Sequence, residues 1–337
     1  MKRRTFNQTL LSVGMLSPLR HVNAYPRAVI GHGNFRYRVD TDWCRAVATN
    51  HPVQDCHEMA FSSKGLLYLS TNDTHNNVLV MNKDGEVVNA WGKEYPGAHG
   101  LTLHDENGSE FLYITDYERH AVFKTTLEGR VIQTFRYPAE AGLYDLESSF
   151  RPTESVVAPD GTVFIADGYG QDYILAYGPD GRFLYHFGGK GGNPESLNNA
   201  HGVALDYREQ NNPVVVVTSR VENCFKRYTA EGRFLGKISL PGAYVCRPVI
   251  HGAHLFCAVL ISKMPWDSQS GFVMVLDRDN RVVSVPGGSD PQGDLPFHQT
   301  IRVFRHPHDV AVDTDGNLYV SQWNAGKVYP YRLTRVL

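Results

Sequence analysis

Apolar and polar positions alternate with a period of two along most of the chain, the signature of strands rather than helices. Thr162-Val163-Phe164-Ile165-Ala166 and Pro213-Val214-Val215-Val216-Val217 are rich in β-branched and aromatic residues, which suit a pleated, buried surface. Such runs are joined by Asp84-Gly85, Asp160-Gly161, Asp180-Gly181 and Asp315-Gly316, dipeptides that supply the positive φ angles of tight hairpins. Past the N-terminal region, no segment longer than about ten residues carries a helical stripe.

The pattern also repeats at longer range. His57-Glu58-Met59-Ala60-Phe61, Lys64-Gly65 and Leu66-Leu67-Tyr68-Leu69 are matched by His308-Asp309-Val310-Ala311-Val312, Asp315-Gly316 and Asn317-Leu318-Tyr319-Val320. The phrase returns from His99, Thr153, His201 and, more weakly, Arg247, at separations of 42, 54, 48, 46 and 61 residues. That spacing suits a four-stranded propeller blade with loops of variable length. Six starts predict an all-β, six-bladed β-propeller. The last unit lacks room for an outer strand before Leu337, so Asn34-Phe35-Arg36-Tyr37-Arg38-Val39 is expected to complete it and close the ring.

The N-terminus has a different character. Met1-Lys2-Arg3-Arg4-Thr5-Phe6 is basic, Leu10 to Leu16 is mostly apolar, and His21-Val22-Asn23-Ala24 suits a cut after Ala24. Residues 1–24 therefore predict an export signal of twin-arginine type and a periplasmic or secreted location, leaving 25–337 as one propeller domain. No other stretch approaches the ~18 unbroken apolar residues of a membrane span. Lys+Arg 33 against Asp+Glu 35 leaves a formal charge of −2, which argues against nucleic acid as a partner. The protein is expected to act as a monomer. Cys44, Cys56, Cys224, Cys246 and Cys257 form no CxxC pair and thus neither a disulfide framework nor a zinc knuckle, although one or two bridges could form in the periplasm. Cys257, within Leu255-Phe256-Cys257-Ala258-Val259, reads as a buried core residue.

The innermost strand of a blade lines the tunnel, and the recurring phrase starts there with His57, His99, Thr153, His201, Arg247 and His308. His99, His201 and His308 fall on alternate blades, about 120° apart around a six-fold ring. Three imidazoles at one height would converge on the axis and leave a fourth position open, the arrangement of a catalytic rather than a structural zinc. Iron and manganese are also compatible with imidazole ligands. The alternative is that such histidines only satisfy backbone groups near the tunnel mouth. The loop after the second strand repeats as well: Thr115-Asp116-Tyr117, Ala166-Asp167-Gly168-Tyr169 and Thr218-Ser219-Arg220. Asp116 and Asp167 read as loop-holding residues. Tyr169 and Arg220 would stand at the histidine end of the tunnel, either packing there or acting as a base and a carboxylate fork.

These residues resemble the peptidyl-α-hydroxyglycine α-amidating lyase family, a six-bladed propeller of the NHL-repeat type. The likeness runs from about His57 to Leu333 and is strongest at Ala98-His99-Gly100-Leu101, Asp167-Gly168-Tyr169, Ala200-His201-Gly202-Val203, Ser219-Arg220, Gly271-Phe272-Val273-Met274 and Pro307-His308-Asp309. The resemblance implies His99, His201 and His308 as ligands of a catalytic zinc, Tyr169 as the base, Arg220 as an active-site arginine and Asp309 as a ligand of a structural calcium. It implies cleavage of the C–N bond of a carbinolamide to give a peptide amide and glyoxylate, and the expected partner is a peptide-terminal or small-molecule substrate. Where the family has a second arginine in its first blade, this chain has Ser70-Thr71-Asn72-Asp73. Arg247, His57 and His306 are the expected substrate-binding groups, and they leave room for a different metalloenzyme on the same tunnel: a lactonase, an epimerase, or a sugar-acting lyase or hydratase. A non-catalytic binding propeller is the third possibility.

Overall fold

A computed structural model describes residues 28–208, 213–293 and 295–336. The expected export signal lies outside the described residues. Among the described residues no helix is long and apolar enough to cross a membrane.

The strands form six antiparallel sheets arranged as the blades of a β-propeller, five of them four-stranded. Blade one comprises Cys56–Phe61, Leu67–Thr71, Val78–Met81 and Val87–Trp91. Blades two, three, four and five begin with Ala98–Glu106, Glu154–Val157, Ala200–Asp206 and Val249–His251. Blade six holds Pro307–Val312, Leu318–Gln322 and Tyr331–Val336, and its outer part comes from the other end of the chain.

Phe35–Asp40 pairs antiparallel with Tyr331–Val336, Arg36 opposite Val336 and Asp40 opposite Arg332. The N-terminal strand thus closes the ring, as its alternation predicts. A further strand, Val29–His32, folds back on it through a hairpin at Gly33-Asn34, making this sheet five-stranded. Gly33 has a φ of +53°, which a tight turn of this kind asks of glycine. His32 then ties the added strand to blade five: its amide donates to Ser284 Oγ at 2.8 Å.

The core is divided into six wedges, each between two neighbouring blades. Strand alternation produces this division. In Leu67–Thr71, Leu67 and Leu69 face blade six while Tyr68 faces blade two. In Val163–Ala166, Val163 and Ile165 face blade two while Phe164 and Ala166 face blade four. Second strands are therefore buried on both faces and read as nearly continuous apolar runs. All five cysteines are free, and Cys257 lies in the wedge between blades four and five.

Candidate metal centre and its pocket

The first strand of each histidine-bearing blade breaks its ladder at the histidine. Register shifts fall between Cys56 and Met59, Ala98 and Leu101, Ala200 and Val203, and Pro307 and Asp309. Blade three has Thr153 at this position and its pairing runs without a shift. A bulge bends its strand and redirects a side chain. Here four bulges turn His57, His99, His201 and His308 into the tunnel.

The four imidazoles form one buried group. His99 is its hub, with ring centroids 4.6 Å from His201, 4.7 Å from His308 and 4.8 Å from His57. His308 lies 4.9 Å from both His201 and His57. The ligand nitrogens of His57, His99 and His308 all come within 4.8 Å of one another, close enough for a metal site. The three rings expected to converge, His99, His201 and His308, are mutual neighbours, but the trio whose ligand nitrogens meet that spacing has His57 in the place of His201.

Their chemistry suits a cation. Burial holds all four below the ordinary imidazole range, His57 down to about 4, so they are neutral and offer lone pairs. His99 Nδ1 lies 2.8 Å from the Thr153 carbonyl oxygen. A carbonyl only accepts, so Nδ1 carries the proton and Nε2 is left free as a donor of electrons. Both ring nitrogens of His57, and Nδ1 of His201 and of His308, are buried without a hydrogen-bond partner. Orphaned buried nitrogens are costly, and a shared ion is one way to satisfy several together.

Tyr169 covers this group. Its hydroxyl sits 3.1 Å from His99 Nε2 and 3.2 Å from His201 Nε2. Burial pushes the phenol up to about 12, while the Arg220 guanidinium beside it pulls the other way. The loop carrying Tyr169 is held by Asp167, whose carboxylate accepts from the amides of Arg151 and Gln171 and from the Tyr144 hydroxyl, each at 2.7 Å. Asp116 holds the matching loop of blade two through the amides of Glu118 and Arg119. Arg220 is buried at the start of a short 3-10 turn, its Nε donating to the Val245 carbonyl at 3.1 Å and its Nη2 to Cys246 Sγ at 3.2 Å.

A pocket of about 330 Å³ opens at this mouth, lined by Tyr169, Arg220, His308, Asn199, Trp266 and Trp323 among others. The two tryptophans are absent from the sequence-based expectation. Trp323 follows the second strand of blade six as Tyr117 and Arg220 follow those of blades two and four, so the repeat did carry a signal for it. Trp266 belongs to the long insertion between Val259 and Phe272 of blade five, which has no counterpart in the other repeats.

Two of the expected substrate-binding residues stand elsewhere. His306 packs on Trp323, and its nitrogens meet the Gln269 amide and the Asn324 carbonyl, each at 3.2 Å. Arg247 points down the axis and lines a cavity at the opposite mouth. Asp309, expected at a calcium ion, accepts from Arg247 through both carboxylate oxygens, at 2.9 and 2.8 Å.

No family model matches the chain. It is 24% identical over 277 residues to NHL repeat-containing protein 3 of Mus musculus, covering 72% of this chain and 80% of the relative. It is 26% identical over 266 residues to the peptidylglycine alpha-amidating monooxygenase of Rattus norvegicus, and 25% identical over 275 residues to peptidyl-alpha-hydroxyglycine alpha-amidating lyase 1 of Drosophila melanogaster. These matches cover 74% and 73% of this chain but only 25% and 47% of the two relatives. Among solved structures, a streptogramin B lyase superposes with a TM-score of 0.56 at 12% identity, covering 88% of this chain and 97% of the other. Virginiamycin B lyase from Staphylococcus aureus superposes at 0.52 with 15% identity, covering 82% and 80%. At such identities the solved structures speak to the fold. The chain is a six-bladed propeller that resembles the amidating lyases over about three quarters of its length.

Proposed function

We propose that this chain is a metal-dependent lyase that splits the C–N bond of a carbinolamide or a similarly activated hydroxyl compound. The observation that carries the reading is the Tyr169 hydroxyl seated between His99 Nε2 and His201 Nε2 at the floor of a pocket with Arg220 in its wall. His99, His201 and His308, with His57 beside them, would hold a first-row dication such as zinc. When bound, it would polarise a hydroxyl oxygen and ease ionisation of the adjacent phenol.

The protein's own groups account for the rest. Tyr169, once ionised, takes the proton from the substrate hydroxyl. The oxygen's electrons then form a carbonyl, the C–N bond breaks, and its electron pair goes to the amide nitrogen, which gains a proton. A hydroxyglycine-terminated peptide would give a peptide amide and glyoxylate. Arg220 can pair with the terminal carboxylate, while Trp266 and Trp323 supply an apolar wall against which the rest of the substrate packs. Incubation of metal-loaded protein with such a peptide should release glyoxylate. Silence from protein carrying one dication per chain would overturn the lyase reading.

A second reading, another metalloenzyme on the same tunnel, is favoured by His57, which enlarges the imidazole group, and by Ser70-Thr71-Asn72-Asp73 in blade one, where the amidating lyases resembled here would bring an arginine. Arg247 does not replace that arginine, since its guanidinium is engaged below the histidines. Panels of lactones and uronates would separate the two readings. Export through the N-terminal segment belongs with the same proposal, and cell fractionation tests it.

A further inference from the structure

Beneath the histidines the tunnel contains a second polar layer. In the recurring phrase the next residue is Glu58 in blade one, Glu154 in blade three and Asp309 in blade six, all buried. The Arg247 guanidinium comes from blade five into their midst. Its Nε meets Asp309 Oδ1 at 2.9 Å, and its Nη2 meets Asp309 Oδ2 at 2.8 Å and the Met59 carbonyl at 2.6 Å. Its Nη1 donates to the Leu101 carbonyl at 3.2 Å and faces Glu58 Oε2 at 3.2 Å and Glu154 Oε2 at 3.7 Å. Blade four makes room: a Cβ on Gly202 would come within 2.4 Å of Arg247 Cα.

Carboxylates and backbone carbonyls converging on one point are the ligand set of a hard cation such as calcium. The family resemblance places a calcium at Asp309, yet both of its oxygens and two of the carbonyls are already taken by the guanidinium. The residues present do not fit a calcium as they stand. We propose that Arg247 is a tethered counter-cation in the place of a calcium ion, so that this ring closes around its own side chain. Arginine suits the role because its planar fork presents several donors at once and keeps its charge when buried. Without a cation, Glu58, Glu154 and Asp309 would be enclosed together with no counter-charge, and burial already pushes the Glu58 and Glu154 carboxyls up.

The test compares calcium and zinc on chelating-resin-treated full-length protein, by elemental analysis and thermal unfolding. The wild type should retain no calcium, and its midpoint should stay fixed when millimolar calcium chloride is added. A midpoint that rises with zinc but not with calcium agrees with the proposal, since imidazoles do not suit calcium. One calcium per chain, or a calcium-dependent rise, would overturn it whether or not the protein is a lyase. Arg247→Met should unfold at a lower temperature and regain part of the loss as calcium is added, while Arg247→Lys should remain insensitive. A folded Arg247→Met that ignores calcium also overturns it. If that variant does not fold with or without calcium, the wild-type measurement decides.

Discussion

The Thr153 backbone oxygen accepts the Nδ1 proton of His99 from a neighbouring blade, and this single contact fixes which nitrogen of the hub imidazole is free. His99→Ala should therefore lose the dication while keeping the blades intact. The fall in affinity should exceed the about 10–100-fold that loss of an outer supporting group costs. Competition with a coloured chelator measures it, and wild-type affinity in the variant would remove His99 from the site.

Tyr169 is the base of the proposed reaction, and its hydroxyl contacts the tunnel imidazoles His99 and His201. Tyr169→Phe should keep its bound metal and its melting temperature, and lower kcat by about 100- to 10,000-fold, the usual weight of a general base. Glyoxylate release under saturating substrate is the readout. A variant as active as the wild type would assign the base elsewhere.

Buried neutral imidazoles make the metal-free protein acid-sensitive. In the unfolded chain His57 takes up a proton near 6.5; in the fold it does so only near 4. As pH falls through this window the unfolded state binds more protons, so stability is full above about 6.5 and declines toward 4. His99, His201 and His308 act in the same direction. Urea unfolding of the metal-free protein should show the midpoint falling across this range, and His57→Asn should reduce the slope. A midpoint that does not change with pH would contradict the burial of neutral histidines.

Tyr37 lies fully buried in the wedge between blades five and six, and its hydroxyl has no partner there. Tyr37→Ala should cost about 3–5 kcal/mol, as large aromatic truncations do. Tyr37→Phe removes only an unsatisfied polar atom and should be neutral or stabilising. Denaturant titration of the pair separates packing from hydrogen bonding.

Trp323 should act on binding more than on chemistry. Trp323→Ala opens the pocket wall and uncovers His306 but leaves the four tunnel imidazoles in place, so KM should rise while kcat changes little. An equal fall in kcat with KM unchanged would place the ring against the reacting atoms.

The ring was legible because its middle strands are buried on both faces and their hairpins turn on Asp-Gly pairs. The histidine layer was legible because the phrase that opens each blade repeats in register. The same register placed Glu58, Glu154 and Asp309 on one level, a regularity that becomes meaningful only once the tunnel brings them together. Arg247 shows the limit: the sequence shows a charge at a blade start, but not which way along the axis its long side chain runs. Trp266 comes from an insertion outside the repeat, and the Gly33-Asn34 hairpin precedes the first phrase, so periodicity pointed to neither.

His57 and His308 belong to the first and last blades, yet their rings lie 4.9 Å apart, next to the sheet in which the strand Phe35–Asp40 completes the ring. Anything gripped by both works as a clasp: pulling the circle open would mean tearing it free. An ion held by both would couple occupancy to mechanical endurance, and a loaded molecule should resist proteases at the junction better than an empty one.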